Sequence, residues 1–118
     1  MAELATVFVE RQEGVQLVRL AGEVDISNAA HLEEEISDAV PNDALGLVLD
    51  LSATTYLDSA GIRMLFELAE RIEGRRQTLA LVVPQQSLIR HSLAVTEVEQ
   101  AMAMHETTSD AVAAMRTE

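Results

Sequence analysis

Apolar positions recur along this chain with two alternating periods. Residues 4–10 (LATVFVE) and 15–21 (VQLVRLA) are rich in β-branched and apolar residues. Arg11-Gln12-Glu13-Gly14 between them predicts a hairpin, with Gly14 free to take positive φ. Val15, Leu17, Val18 and Leu20 make the second segment mostly apolar, as in a buried strand. Over residues 27–40 the spacing turns helical. Ala29, Leu32, Ile36 and Val40 share one face, Glu33, Glu34, Glu35 and Asp38 lie mostly off it, and Ser27 or Asn28 is placed to cap the start. Pro41-Asn42-Asp43 ends that helix.

Residues 45–51 (LGLVLDL) form a near-continuous apolar run, the pattern of a strand covered on both faces. Residues 60–73 are helical again, with Ile62, Leu65, Phe66, Ala69 and Ile72 as the expected core stripe and Gly74 as the expected left-handed residue after it. A third apolar strand, 77–83, ends at Pro84. A short helix over 85–93, a weak strand over 100–105 and a helix over 108–117, capped by Thr107 or Thr108, complete the pattern. Strands alternating with helices predict an α/β fold with a mixed, mostly parallel sheet of about five strands and about four helices.

The chain has 118 residues, which fits a single domain spanning 1–118. Its net charge of −12 makes nucleic acid and anionic membrane poor partners, because Coulomb repulsion opposes both. Every one of its eight basic residues other than histidine is arginine. Without lysine there is no Walker A loop, no kinase strand lysine and no Schiff-base nucleophile. With no cysteine there is no disulfide, thiolate metal site or thiol nucleophile. Few aromatics leave little platform for stacked bases. No apolar run reaches the length of a membrane span, and the first residues carry acids where a signal peptide carries positive charge. A cytoplasmic protein is expected.

Two segments carry candidate chemistry. Leu51-Ser52-Ala53-Thr54-Thr55-Tyr56-Leu57-Asp58-Ser59-Ala60-Gly61-Ile62 joins the central apolar strand to a helix. Ser59 falls where that helix begins, so its side chain could cap free N–H groups, and a phosphate there would meet the positive end of the helix dipole. The plainer alternative is an Asp-Ser helix cap. Leu20-Ala21-Gly22-Glu23-Val24-Asp25-Ile26-Ser27 also closes a strand, so in a parallel sheet Glu23 and Asp25 are expected at the same end as Ser59. As paired catalytic carboxylates these two have no supporting metal set or sugar-binding aromatics. Met64, Leu68 and Arg71 lie off the expected core stripe, so Met64 and Leu68 are either an exposed docking patch or the margin of a wide core face. His31, His91 and His105 are scattered, and no metal ligand set is expected. No serine stands in a G-x-S-x-G elbow, and no histidine base accompanies the Asp58 segment, so hydrolase chemistry is not expected.

Taken together, LAGEVDISNAAHLEEEI and LVLDLSATTYLDSAGIRMLFELAERI resemble the STAS domain of bacterial anti-sigma factor antagonists. That family has a hydrophobic strand, G-E-x-D and a helix, then a strand ending in D-L-S and D-S-[STA]-G at a helix start. The last third matches only in its strand-helix rhythm, and Leu93-Ala94-Val95-Thr96-Glu97 lacks a glycine often found there.

The resemblance implies a regulatory binding protein, not an enzyme, and no cofactor. Its implied partner is an anti-sigma factor that is also a serine kinase of the histidine-kinase-like ATPase fold. The kinase would phosphorylate Ser59 and end the binding; a serine phosphatase would restore it. Glu23, Asp25, Asp58, Ala60, Gly61, Met64 and Leu68 are the expected contact residues. Ala60 stands where a second hydroxyl is common, leaving Ser59 as the sole acceptor of the motif. The alternative is a STAS subunit of a larger stress-signalling or lipid-transport assembly, with no working switch.

Overall fold

A computed structural model describes residues 4–117. Strand β1 (Ala5–Gln12) turns into β2 (Val15–Val24) through Glu13 and Gly14, both at positive φ, which is the two-residue hairpin geometry that matches strand twist. Helix α1 (Ala29–Asp38), β3 (Gly46–Asp50), β4 (Thr54–Leu57), α2 (Ser59–Gly74) and β5 (Thr78–Val82) follow. The chain ends in α3 (Arg90–Ala94), α4 (Val98–Ala101), β6 (Ala103–His105) and α5 (Thr108–Arg116).

The sheet order is β1-β2-β3-β5-β6, with β4 beside β2. Among the described residues only the β1–β2 pair is antiparallel. Every residue of β3 is buried, as its unbroken apolar run requires, because the central strand has helices on both faces. One core joins α1, α2, Leu93 of α3 and Val98 of α4 to Val18, Leu20, Leu47, Leu49 and Leu81. A smaller core seats Ala111, Val112 and Met115 of α5 on Val15, Leu17, Val48, Ala80 and Val82.

Six strands and five helices replace the five and four expected among the described residues. The extra strand is β4, and the extra helix is the turn at Val98–Ala101, which shortens the last strand to Ala103–His105. The helix expected over 85–93 forms only from Arg90. Thr107, not Thr108, caps α5 by accepting from the Asp110 N–H.

Helix α2 is rotated from its expected setting. Its buried residues are Gly61, Met64, Leu65, Leu68, Ala69 and Ile72, while Ile62 and Phe66 are only partly buried. Gly61 explains the rotation. A Cβ there would stand 2.8 Å from Leu57 Cδ2 and 3.3 Å from Val24 Cγ1. The missing side chain lets α2 start pressed against the ends of β2 and β4, and positions 64, 65, 68 and 72 then follow on the same face. Met64 and Leu68, 2% and 0% exposed, are core residues and not a docking patch. The end of α2 is corrected as well. Arg76, at φ 61°, takes the left-handed position expected of Gly74. The Gln77 N–H then donates to Ile72 O and the Arg76 N–H to Glu73 O, the paired bonds of a Schellman end.

Candidate functional site

The two motifs meet because β2 and β4 are parallel neighbours. Val24 pairs with Leu57, and the Asp58 N–H donates to Val24 O at 3.2 Å. Asp25 and Ser59 therefore emerge at the same end of the sheet, as expected from strand direction. The route differs from expectation. The central strand β3 does not lead straight into α2; it turns at Leu51 to Ala53, and β4 rises beside the upper half of β2. The Thr54 hydroxyl fixes that placement by donating to Leu20 O at 2.6 Å. The signal for β4 was present in Thr54-Thr55-Tyr56, a β-branched pair followed by an aromatic, but four residues are too few to show a period.

Gly22 makes the approach possible. It stands at φ 111°, and a Cβ there would fall 2.2 Å from Leu4 O. Its N–H turns to Ala53 O, and the register between β2 and β4 shifts at Gly22 and Glu23. A bulge of this kind re-aims the strand end, and here it carries Glu23 and Asp25 toward the start of α2.

Asp25 organises its own loop. Its Oδ1 accepts from the Ser27 hydroxyl and the Ser27 N–H, and its carbonyl accepts from the Ala29 N–H. These donors hold the Asp25 carboxyl below its ordinary value, the Ser27 hydroxyl contributing most. Asp25 is a fixed negative charge at neutral pH. Asn28 occupies the cap position of α1 but does not cap it with its side chain. Its Oδ1 accepts from the Asp25 N–H and its Nδ2 donates to Glu23 O, so it closes the loop instead.

At the second motif Asp58 is the cap, and Ser59 is the first residue of α2. Asp58 Oδ1 accepts from Ala60 N–H at 2.9 Å and Gly61 N–H at 3.1 Å. The capping role considered for Ser59 therefore belongs to its neighbour. Ser59 is exposed, and no hydrogen bond engages its hydroxyl among the described residues. Gly61 is buried under Leu57 and cannot be touched by a partner.

The exposed apolar residues at this end are Ile26, 84% exposed, and Tyr56, with Leu88 in the turn that follows β5. Sequence pattern missed all three: Ile26 stands alone between polar neighbours, and Tyr56 and Leu88 each precede a buried apolar residue, Leu57 and Ile89, from which pattern alone does not separate them. A groove of about 200 Å³ runs between α1 and α2, lined by Ile26, Ala30, Ala60, Arg63, Glu33 and Glu67, with Met64 at its base. Arg71 spans the two helices, 3.2 Å from Glu33 and 3.8 Å from Glu34. Burial, and then a hydrogen bond shared with Glu67, raise the Glu33 carboxyl above its ordinary value. Among the described residues no cluster of three metal-ligating side chains occurs, and no helix is long and apolar enough to cross a membrane.

Comparison with known proteins agrees with this geometry. The sequence model of the STAS domain matches residues 6–111. The chain is 32% identical to the anti-sigma-F factor antagonist RsfB of Mycobacterium tuberculosis over 94% of its length and 89% of that protein. A crystal structure of an anti-sigma factor antagonist from Mycobacterium paratuberculosis superposes with a TM-score of 0.83 at 29% identity, covering 95% of this chain and 94% of that one. The phosphorylated form of the Bacillus cell fate determinant SpoIIAA shares the fold, with a TM-score of 0.66 at 17% identity over 96% and 100% of the two chains. Motif residues, sheet order and a match across most of the sequence concur, and the chain belongs to the STAS domain family.

Proposed function

We propose that this protein is an anti-sigma factor antagonist switched by phosphorylation of Ser59. The observation that carries the reading is the division of labour between Asp58 and Ser59. Asp58 satisfies the first free N–H groups of α2, which leaves the Ser59 hydroxyl exposed and uncommitted at the end of the sheet. Similarity to RsfB supports the antagonist role, and the existence of a phosphorylated SpoIIAA of the same fold accords with the switch.

In this reading the chain is ligand and substrate, not enzyme. The unmodified protein docks in the cytoplasm on an anti-sigma factor and frees the sigma factor. That partner is a serine kinase of the histidine-kinase-like ATPase fold. Ser59 Oγ attacks the γ-phosphorus of ATP held by the partner, the bond to ADP breaks, and a partner base takes the hydroxyl proton. A serine phosphatase restores the hydroxyl by hydrolysis, in which water takes the phosphoryl group and inorganic phosphate leaves. The contact set is Glu23, Asp25, Asp58 and Ala60, extended by Ile26, Tyr56 and Arg63 in place of the buried Met64, Leu68 and Gly61. Phosphate adds ~1.5–2 negative charges at neutral pH. They fall beside Asp58 and near Asp25, so modification repels a partner matched to the unmodified acidic face.

The test pairs two variants against a serine kinase of the histidine-kinase-like ATPase fold that binds the unmodified protein. Ser59→Ala is expected to abolish phosphoryl transfer, read by intact-mass spectrometry, while keeping affinity. Ser59→Asp is expected to weaken binding about tenfold or more, as a buried like charge at an interface does. Equal affinities for the two variants would remove charge as the switch.

A further inference from the structure

Strand β1 is an edge of the sheet, eight residues long, and its open side is directed by the hairpin register. The Glu23 N–H donates to Leu4 O at 2.9 Å, and the pairing runs unbroken from Ala5 with Gly22 to Gln12 with Val15. Bonded and non-bonded pairs alternate in an antiparallel ladder. Thr6, Phe8, Glu10 and Gln12 therefore bond to β2. Gly22, opposite Ala5, sends its N–H the other way, to Ala53 O. Ala5, Val7, Val9 and Arg11 are left with N–H and C=O groups aimed outward.

Edge strands are ordinarily blunted by lysine, proline, a bulge or a covering loop. On β1 the pairing has no bulge, and Leu4, Phe8 and Val9 are 44–48% exposed. A trough of about 480 Å³ runs along the same edge, between Ala5 and Val7 on one side and Asn28, His31, Leu32 and Glu35 of α1 on the other. Glu34, Glu35 and Asp38 make the outer surface of α1 acidic. Arg11, on β1 itself, is bound to Asp43 at 3.2 Å, Arg71 stands 3.8 Å from Glu34, and His31 stands 3.8 Å from Glu35. Asp38 is left in no ion pair among the described residues.

We propose that β1 accepts an extended segment of a partner protein as an added strand, a segment that alternates basic and apolar residues. Main-chain bonds to Val7 and Val9 supply the attachment, and the two faces of the incoming strand supply the selectivity. Side chains on the α1 face would lay an aliphatic stem over Val7 and Val9 and carry a cation to Glu35. Side chains on the opposite face would meet Phe8, whose ring is already covered by the Arg19 guanidinium at 4.8 Å. A second copy of this chain is the poorer occupant. Antiparallel pairing of two β1 edges would bring two acidic α1 helices to the same face, on molecules of net charge −12. The edge is separate from Ser59, so the proposal stands independently of the phospho-switch.

The probe is a capped peptide of alternating lysine and valine, titrated into the full chain and read by amide NMR. Shifts are expected along Ala5 to Arg11 and on the His31–Glu35 face of α1, with slowed exchange at the Val7 and Val9 amides. Val9→Pro removes an outward donor that β2 does not use, a substitution edge strands tolerate, and should weaken binding by about tenfold. Glu35→Lys, an exposed change that spares the strand, should weaken the lysine-valine peptide several-fold and narrow its advantage over a glutamate-valine peptide. Equal affinity of the wild type for both peptides, or shifts that avoid β1, would overturn the proposal. So would a dimer of the unliganded chain that Val9→Pro dissolves, since the occupant would then be a second copy.

Discussion

The two ends of the sheet are held by hydrogen bonds of different reach. At the hairpin end, buried and half-buried side chains tie together segments far apart in the chain. Gln16 donates to Ala39 O, Gln77 to Pro41 O and Ala44 O, and Arg75 to Val40 O and Ser37 O. These bonds hold the loop between α1 and β3 against β2 and the end of α2. At the other end Thr54 makes one long-range bond, to Leu20 O, and the side-chain bonds of the two motif loops are short-range. Asp25 reaches Ser27, Asn28 reaches Asp25 and Glu23, and Asp58 reaches Ala60 and Gly61. The first end belongs to the tertiary scaffold. The second is a pair of preorganised loops that a partner or a phosphate can meet without disturbing the fold.

The largest effect should therefore come from the hairpin end. Gln77→Ala strips two carbonyls of their shared donor at a position only 6% exposed. Pro41 O keeps the Ala44 N–H as a donor, so the cost falls on Ala44 O. Leaving one buried acceptor unpaired costs ~1–3 kcal/mol, and a loss of about 2 kcal/mol is expected in urea unfolding. Asp58→Ala at the other end should cost about 1 kcal/mol, the usual value of a helix cap. Similar losses for the two variants would erase the contrast between scaffold and loop.

How legible each region was in sequence follows from the same contrast. Strand and helix order was readable because Val15–Leu20 and Leu45–Leu51 are short, mostly apolar runs and Ala29–Val40 carries a clean helical period. The convergence of Gly22-Glu23-Val24-Asp25 and Asp58-Ser59 at one end of the sheet was readable from strand direction; their pairing through β4 was not. The rotation of α2 was not, because Ile62 and Phe66 are as apolar as Met64 and Leu68, and only the close approach at Gly61 decides between the two faces. The Gln77 clamp was equally hidden, since its partners are backbone carbonyls that a sequence does not display.

Acid should separate two carboxylates of the motif end by sign, with smaller effects. Asp25 has a depressed folded value, so its contribution is present above its ordinary 3.8 and lost as pH falls through the depressed one. Glu33 has a raised folded value, so its contribution is full below its ordinary 4.5 and lost as pH rises through the raised one. Asp25→Asn should flatten the stability profile below pH 3.8, and Glu33→Gln should flatten the decline above 4.5. Thermal midpoints measured across that range would show it. A Glu33→Gln profile parallel to wild type above 4.5 would mean Arg71 already neutralises the pair.

The smallest effect should come from phosphate on Ser59. The dipole of α2 favours it, but Asp58 already holds the Ala60 and Gly61 N–H groups and repels it. The net change in stability should stay within ~0.3–1 kcal/mol. Arg63 sets its sign. It lies four residues after Ser59 on the exposed side of α2, and helical side chains lean toward the N-terminus, so its guanidinium points back at the phosphate. It is in no ion pair among the described residues. In protein carrying phosphoserine installed at position 59, Arg63→Ala should lower stability by about 0.5 kcal/mol and raise the second phosphate pKa in ³¹P NMR. In unmodified protein the same change should do almost nothing. A phosphate that titrates identically with and without Arg63 would leave the modified serine to solvent alone, and the loop would then answer to its charge only when a partner arrives.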